Sequence, residues 1–171
     1  RSLAPGEVFV ALRGLSRDGH AFVEAALAEH AACAIVEHGF REPEGETRLI
    51  RVKDTLGALN ELGAAARGRA KRAIVIAVTG SVGKTGTKEA LRHALAPSGP
   101  VHASIKSYNN HWGVPLSLAN MRANTRFGVF EAGMNHAGEL AELTRLIRPN
   151  IAIITTVEPV LGTLDGDDRQ L

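Results

Sequence analysis

Cysteine, aromatic residues and any excess of charge are all scarce in this chain. A single cysteine, Cys33, cannot form a disulfide within the chain; it sits in the apolar stretch Ala31 to Val36, where a buried, inert thiol in a reducing compartment is expected. Twenty Lys and Arg against eighteen Asp and Glu leave a formal charge of +2, with no basic block dense enough to make nucleic acid the main partner. No apolar run approaches the length of about 18 residues that a membrane helix needs, and the start lacks the charged-then-apolar pattern of an export signal, so a cytoplasmic location is expected. His20, His30, His38, His93 and His102 share no ligand spacing, and a lone cysteine argues against a zinc site. There is no solenoid repeat and no low-complexity tract.

What remains is a chain of 171 residues, 44% hydrophobic, sufficient for one ordinary domain or two small ones. Its pattern alternates between strand and helix. Glu7 to Leu12, Ala34 to Glu37 and Arg48 to Val52 read as strands, and His20 to Ala32 as an alanine-rich helix. Asp54 is placed to cap a helix from Thr55 to about Ala66, with Leu56, Leu59 and Leu62 spaced along one apolar face. The cluster Arg67 to Arg72 reads as a solvated helix end and marks a boundary between residues 1–72 and 73–171.

The second half alternates again. Strands are expected at Ile74 to Val78, near Val101, Phe127 to Glu131 and Ile151 to Thr156, and helices at Lys84 to Ala96, Val114 to Met121 and Ala137 to Ile147. Such an order predicts an α/β fold with a mostly parallel sheet and helices on its faces. Ligands in such sheets bind beyond the carboxyl ends of the strands, which singles out three segments: the Gly80 loop, Glu131 to His136, and Thr155 to Pro159.

The first of these carries the clearest chemistry. The apolar run Ala73 to Val78 leads into Thr79-Gly-Ser-Val-Gly-Lys-Thr85. Gly80 and Gly83 let backbone N–H groups turn inward, Lys84 can reach β/γ-phosphates, and the Thr85 hydroxyl can hold Mg²⁺ at a helix N-terminus. Gly80, Ser81, Val82, Gly83, Lys84 and Thr85 are therefore the candidate ATP contacts. The common spacing would place a glycine five residues before Gly83, where Val78 stands, so the loop is of a shorter variety. The competing reading is a glycine turn without a ligand, which the preceding β-branched strand and the following helix disfavour.

Glu131 follows an apolar strand and should emerge at the same sheet edge as Lys84 and Thr85. With Thr85 it supplies the small ligand set that Mg²⁺ accepts beside phosphates and water; the alternative is a surface ion pair. Asn109, Asn110 and His111 offer donors and acceptors of both kinds in a loop before a helix near Pro115. They could orient phosphate, carboxylate or peptide groups, or Asx-turns could simply stabilise the loop with Trp112 packed on the core. Asn135 to Glu139 admits a similar pair of readings, a site segment or a helix start capped by Asn135.

Four stretches together resemble the Mur ligases of peptidoglycan synthesis, in particular the type that joins D-alanyl-D-alanine to UDP-N-acetylmuramoyl-tripeptide. They are Leu3 to Gly14 with Asp18-Gly-His20, the Thr79 to Thr85 loop, Tyr108-Asn-Asn-His-Trp-Gly-Val-Pro115, and Glu131-Ala-Gly-Met-Asn-His-Ala-Gly-Glu139. The resemblance implies an N-terminal UDP-sugar-binding domain, a central ATPase domain and a third domain for the incoming amino component, of which this chain carries the first and part of the second. It implies ATP and Mg²⁺ as cofactors, and UDP-N-acetylmuramoyl-tripeptide and D-alanyl-D-alanine as substrates of a monomeric enzyme. The implied chemistry is activation of a carboxylate as an acyl phosphate, followed by amine attack.

By the same resemblance, Lys84 and His111 take catalytic roles, Thr85 and Glu131 hold the metal, and Asn109, Asn110 and His111 line the substrate region. Arg1 and Ser2 resemble the end of a uridine-side motif. Departures accompany the matches. Val82 and Gly86 replace a more usual Asn and Thr, which a loop working through backbone amides tolerates. Leu161 stands where the family's histidine is expected, and the tail Gly162 to Leu171 has no counterpart to the family's carbamylated lysine. A truncated or frameshifted gene product, or a deliberately cut fragment, is therefore expected, making little or no amide product by itself; a first residue of Arg1 rather than Met adds the expectation of a missing N-terminus. Two further readings stay open: a non-catalytic nucleotide or UDP-sugar binding remnant, and a ligase like folylpolyglutamate synthetase, which the Asn109 to Pro115 loop disfavours.

Overall fold

The computed structural model describes residues 3–14, 16–42, 44–133 and 138–157. Two parallel sheets account for every strand among them. The first has the order β1-β2-β3, from Val8–Val10, Cys33–Glu37 and Leu49–Val52. The second has the order β5-β6-β4-β7, from Val101–Ala103, Phe127–Glu131, Ile74–Thr79 and Ile151–Ile154. Helices α1 (Val23–Ala28), α2 (Thr55–Arg69), α3 (Lys84–Leu95), α4 (Gly113–Ala119) and α5 (Glu139–Ile147) connect them. No helix among the described residues is long and apolar enough to cross a membrane.

Alternation along β4 divides the second core. Val75 and Ala77 face α4 and α5, packing with Val114, Leu118, Phe130, Leu143 and Ile147. Ile76 and Val78 face the other way, with Val129 and the α3 residues Leu91 and Leu95. A period of two thus places helices on both faces of the sheet. The first sheet buries a separate cluster in which Ala34 and Val36 meet Val23, Ala26 and Leu27.

The two halves meet through α2. Asp54 caps this helix as expected, its carboxylate accepting from Leu56 N and Gly57 N at 3.0 Å each. Its buried stripe, however, is Thr55, Leu59, Gly63 and Ala66, while Leu62 is exposed. The expected leucine face is displaced because α2 crosses α4 closely: a Cβ at Gly63 would lie 3.0 Å from the Pro115 carbonyl oxygen. Small residues permit that approach. Thr55 Oγ1 also donates to Ala11 O at 2.9 Å, tying α2 to the first sheet.

Other expectations shift by local physics. The helix drawn from His20 to Ala32 is a 3-10 turn at Gly19–Phe22 followed by the short α1, which ends before His30 takes a left-handed φ of 64°. Helix α5 starts at Glu139 with Gly138 as its N-cap, φ 91°; the expected Asn135 cap lies outside the described residues. Arg67 is no solvated helix end. Its guanidinium donates to the carbonyls of Ile147 at 3.0 Å and Arg148 at 2.9 Å, satisfying acceptors that the end of α5 leaves open. Burial pulls the Arg67 pKa down, with the Arg148 charge adding to it. Cys33 is half-buried rather than enclosed.

Candidate functional site

The loop between β4 and α3 lies at the carboxyl end of the second sheet, as the motif predicts. Gly80 adopts φ 130° and Gly83, the residue before α3, φ 87°. Both belong to the left-handed side that favours glycine. The loop is braced from β7. Ser81 N donates to Thr156 O at 2.7 Å, Thr155 N donates to Thr79 O at 2.9 Å, and Thr155 Oγ1 donates to Val82 O at 2.6 Å. Thr155 and Thr156, at the start of the third segment singled out beyond a strand end, are the clamp on this turn.

Lys84 folds back over the loop, its Nζ donating to Gly80 O at 2.5 Å and Ser81 O at 3.2 Å. These carbonyls hold the ammonium at the mouth of the turn. Thr85 Oγ1 donates to Glu131 Oε2 at 3.2 Å, so the hydroxyl from the start of α3 and the carboxylate from the end of β6 converge. The alternative reading of Glu131, a surface ion pair, is excluded, because the side chain is fully buried. Register explains the meeting: Glu131 pairs with Val78, two residues before Gly80.

A cleft of about 410 Å³ opens here, lined by Ser81 to Gly86 of the loop and α3, together with Ser107, Asn109 and Glu131. Asn109 is pinned beside Glu131 by its carbonyl, which accepts from Gly133 N at 2.8 Å. Asn110 is turned to a different task. Its Oδ1 accepts from Trp112 N at 3.2 Å and Gly113 N at 2.9 Å, the Asx-turn reading, and it is absent from the cleft lining.

His111 also turns away from the cleft. It is exposed, set edge-on to Trp112 with ring centroids 5.5 Å apart, and lines a second groove of about 520 Å³. That groove runs between Leu56 and Asn60 of α2 and Glu139, Glu142 and Arg145 of α5. The three-residue stretch from Asn109 to His111 therefore borders both spaces. Arg1, Ser2, Asn135, His136 and Leu161 lie outside the described residues.

The donor set suits a nucleotide with a divalent cation. The Lys84 ammonium matches phosphate oxygens, while the Thr85 hydroxyl and one Glu131 carboxylate oxygen leave room for the phosphate and water ligands Mg²⁺ retains. Lys88, which no motif singles out, completes the arrangement: fully buried in α3, it places Nζ 3.1 Å from Glu131 Oε1.

Comparison with known proteins agrees with this geometry. Residues 78–160 match the Mur ligase middle domain. The chain is 39% identical over 157 residues to the UDP-N-acetylmuramoyl-tripeptide–D-alanyl-D-alanine ligase of Rickettsia prowazekii, covering 92% of this chain and 34% of that protein. The chain belongs to the Mur ligase family. Among solved structures, the Acinetobacter baumannii UDP-N-acetylmuramoylalanyl-D-glutamyl-2,6-diaminopimelate–D-alanyl-D-alanyl ligase superposes with a TM-score of 0.77 at 36% identity, over 88% of this chain and 33% of that one. The Thermotoga maritima MurF ligase in complex with ADP gives 0.75 at 31% identity, over 92% and 36%. This Mur ligase chain thus spans about a third of the length of the relatives it matches.

Proposed function

We propose that this chain is the nucleotide-binding part of an ATP-dependent amide ligase that adds D-alanyl-D-alanine to UDP-N-acetylmuramoyl-tripeptide, in the cytoplasm, for peptidoglycan synthesis. Residues 1–72 take the UDP-sugar side and residues 73–171 the ATP side. The convergence of the Gly80 to Thr85 loop, Glu131 and Asn109 on one cleft carries this reading. It is also supported by the ADP complex of a structural relative.

Phosphoryl transfer to a carboxylate asks for alignment and charge neutralisation more than for a covalent side-chain catalyst. Loop amides and Lys84 would bind the polyphosphate, with Lys84 leaving the carbonyls of Gly80 and Ser81 to reach β/γ-oxygens. Thr85 and Glu131 would hold Mg²⁺, which would supply positive charge to neutralise the transferring phosphoryl group. Asn109, within the cleft, would orient the reacting carboxylate. Asn110 would act by shaping the loop, and His111 would face the tripeptide from the adjoining groove, as a monomer's own residue.

Phosphate release by this chain, supplied with ATP, Mg²⁺, UDP-N-acetylmuramoyl-tripeptide and D-alanyl-D-alanine, tests the proposal together with calorimetry on each ligand. Binding of ATP and the UDP-tripeptide supports it. Binding with no turnover assigns this chain the ligand-holding role alone, and failure to bind either ligand contradicts the reading.

A further inference from the structure

Lys88 has no solvent exposure, yet nothing about its place between Thr87 and Glu89 distinguishes it from an ordinary surface lysine of a helix. Burying an ammonium is costly unless oxygen partners replace water. Four do so here. Nζ donates to Ser104 O at 2.8 Å and Lys106 O at 2.6 Å, and lies 3.1 Å from Glu131 Oε1 and 3.2 Å from Glu89 Oε1.

Three of those partners belong to the cleft's construction. Thr85 and Lys88 are three apart in α3, hence on one face of the helix, and they address the two oxygens of a single carboxylate. Thr85 takes Oε2 and Lys88 takes Oε1. The Oε1 contact is close enough for an ion pair but is not angled as a hydrogen bond. The carbonyls of Ser104 and Lys106 meanwhile fix the start of the loop that carries Ser107 and Asn109 into the cleft. Lys106 itself is held at φ 52°, a conformation that non-glycine residues rarely adopt. Ser104 closes the circuit, its Oγ accepting from Glu131 N at 3.3 Å.

We infer that Lys88 is a positioning residue for the divalent cation: it holds one oxygen of Glu131, presents the other beside Thr85, and locks the Asn109 loop to the same carboxylate. The inference rests on the proposal that the cleft takes a nucleotide with Mg²⁺. Because Lys88 supplies positive charge behind Glu131, the carboxylate is poised before any cation arrives. A merely structural ion pair would stabilise the fold and leave metal dependence untouched.

The experiment is a titration of ADP into the chain with and without Mg²⁺, on wild type and Lys88→Met, alongside the melting temperature of each. Wild type is expected to bind ADP more tightly with Mg²⁺. In Lys88→Met, metal-free ADP affinity should stay within about twofold, while the gain from Mg²⁺ falls by about tenfold, a typical size for coupling between two ligands. An undiminished Mg²⁺ gain, or equal loss of both affinities, overturns the inference. If Lys88→Met does not fold, the Lys88 side-chain ammonium signal in the wild type is followed by NMR. A shift on adding Mg²⁺ to the ADP-bound chain supports the role, and no shift overturns it. Absence of any ADP binding by the wild type is a separate outcome, which removes the cleft reading and this inference with it.

Discussion

Thr85 and Glu131 lie 46 residues apart in sequence and 3.2 Å apart in space, a hydroxyl donating to a carboxylate at the carboxyl edge of one parallel sheet. The pair joins the phosphate loop to the neighbouring strand, and most consequences of the structure follow from that junction.

The Thr85→Val variant should keep its fold, because Thr85 is not enclosed and valine has nearly its shape. It removes a cation ligand without disturbing the loop amides. Nucleotide affinity measured in Mg²⁺ should fall by about tenfold, whereas affinity measured in a chelator should change little. Calorimetry under the two conditions checks this.

Gly80→Ala should damage the loop itself. The left-handed φ of 130° disfavours alanine, and the added Cβ would collide with Thr155 Oγ1 and lie 3.0 Å from Thr156 O. A loss of about 2 kcal/mol is expected from backbone strain and overpacking. Urea unfolding measures it, and a midpoint equal to that of wild type would contradict the described clamp.

Acid should weaken the fold through His102. Burial lowers its pKa, opposed by Nε2 donating to Ser117 O at 2.7 Å. The folded chain then binds its proton less readily than the unfolded chain, whose histidine titrates near 6.5. Stability from this group is therefore complete at neutral pH and is lost as pH falls below about 6.5, down to the folded value. Asp18, held down first by backbone donation from His20, and Glu89, held down first by Arg92, lose stability at lower pH in the same direction. Unfolding of His102→Gln across pH 5 to 7 should show a flatter profile than wild type.

Much of this was readable from local sequence. An apolar β-branched strand, two glycines and Gly-Lys-Thr sit within thirteen residues, so their arrangement needs no distant partner, and β4, the loop and α3 stand where expected. Asp54 capped α2 for the same reason. What escaped depended on distant contacts. Lys88 draws no role from the sequence, because its enclosure depends on the residue after β5 and the end of β6 reaching it. Leu62 reads as core until Gly63 is found against Pro115. Asn109 and His111 read as one constellation, but the Asx-turn at Asn110 sends one into the cleft and the other toward α5. Arg67 reads as a helix end until the carbonyls of α5 are placed beside it.

The central claim is that the bent backbone from Gly80 to Thr85, with Lys84 over it, holds a nucleotide polyphosphate. Calorimetric titration of ADP into wild type and Lys84→Ala tests it most directly. The account predicts saturable one-site binding by the wild type, tightened by Mg²⁺, and a loss of about tenfold or more in the variant, about 1.4 kcal/mol, with its melting temperature kept. Equal affinity in the two proteins, or no heat of binding in the wild type, would contradict it.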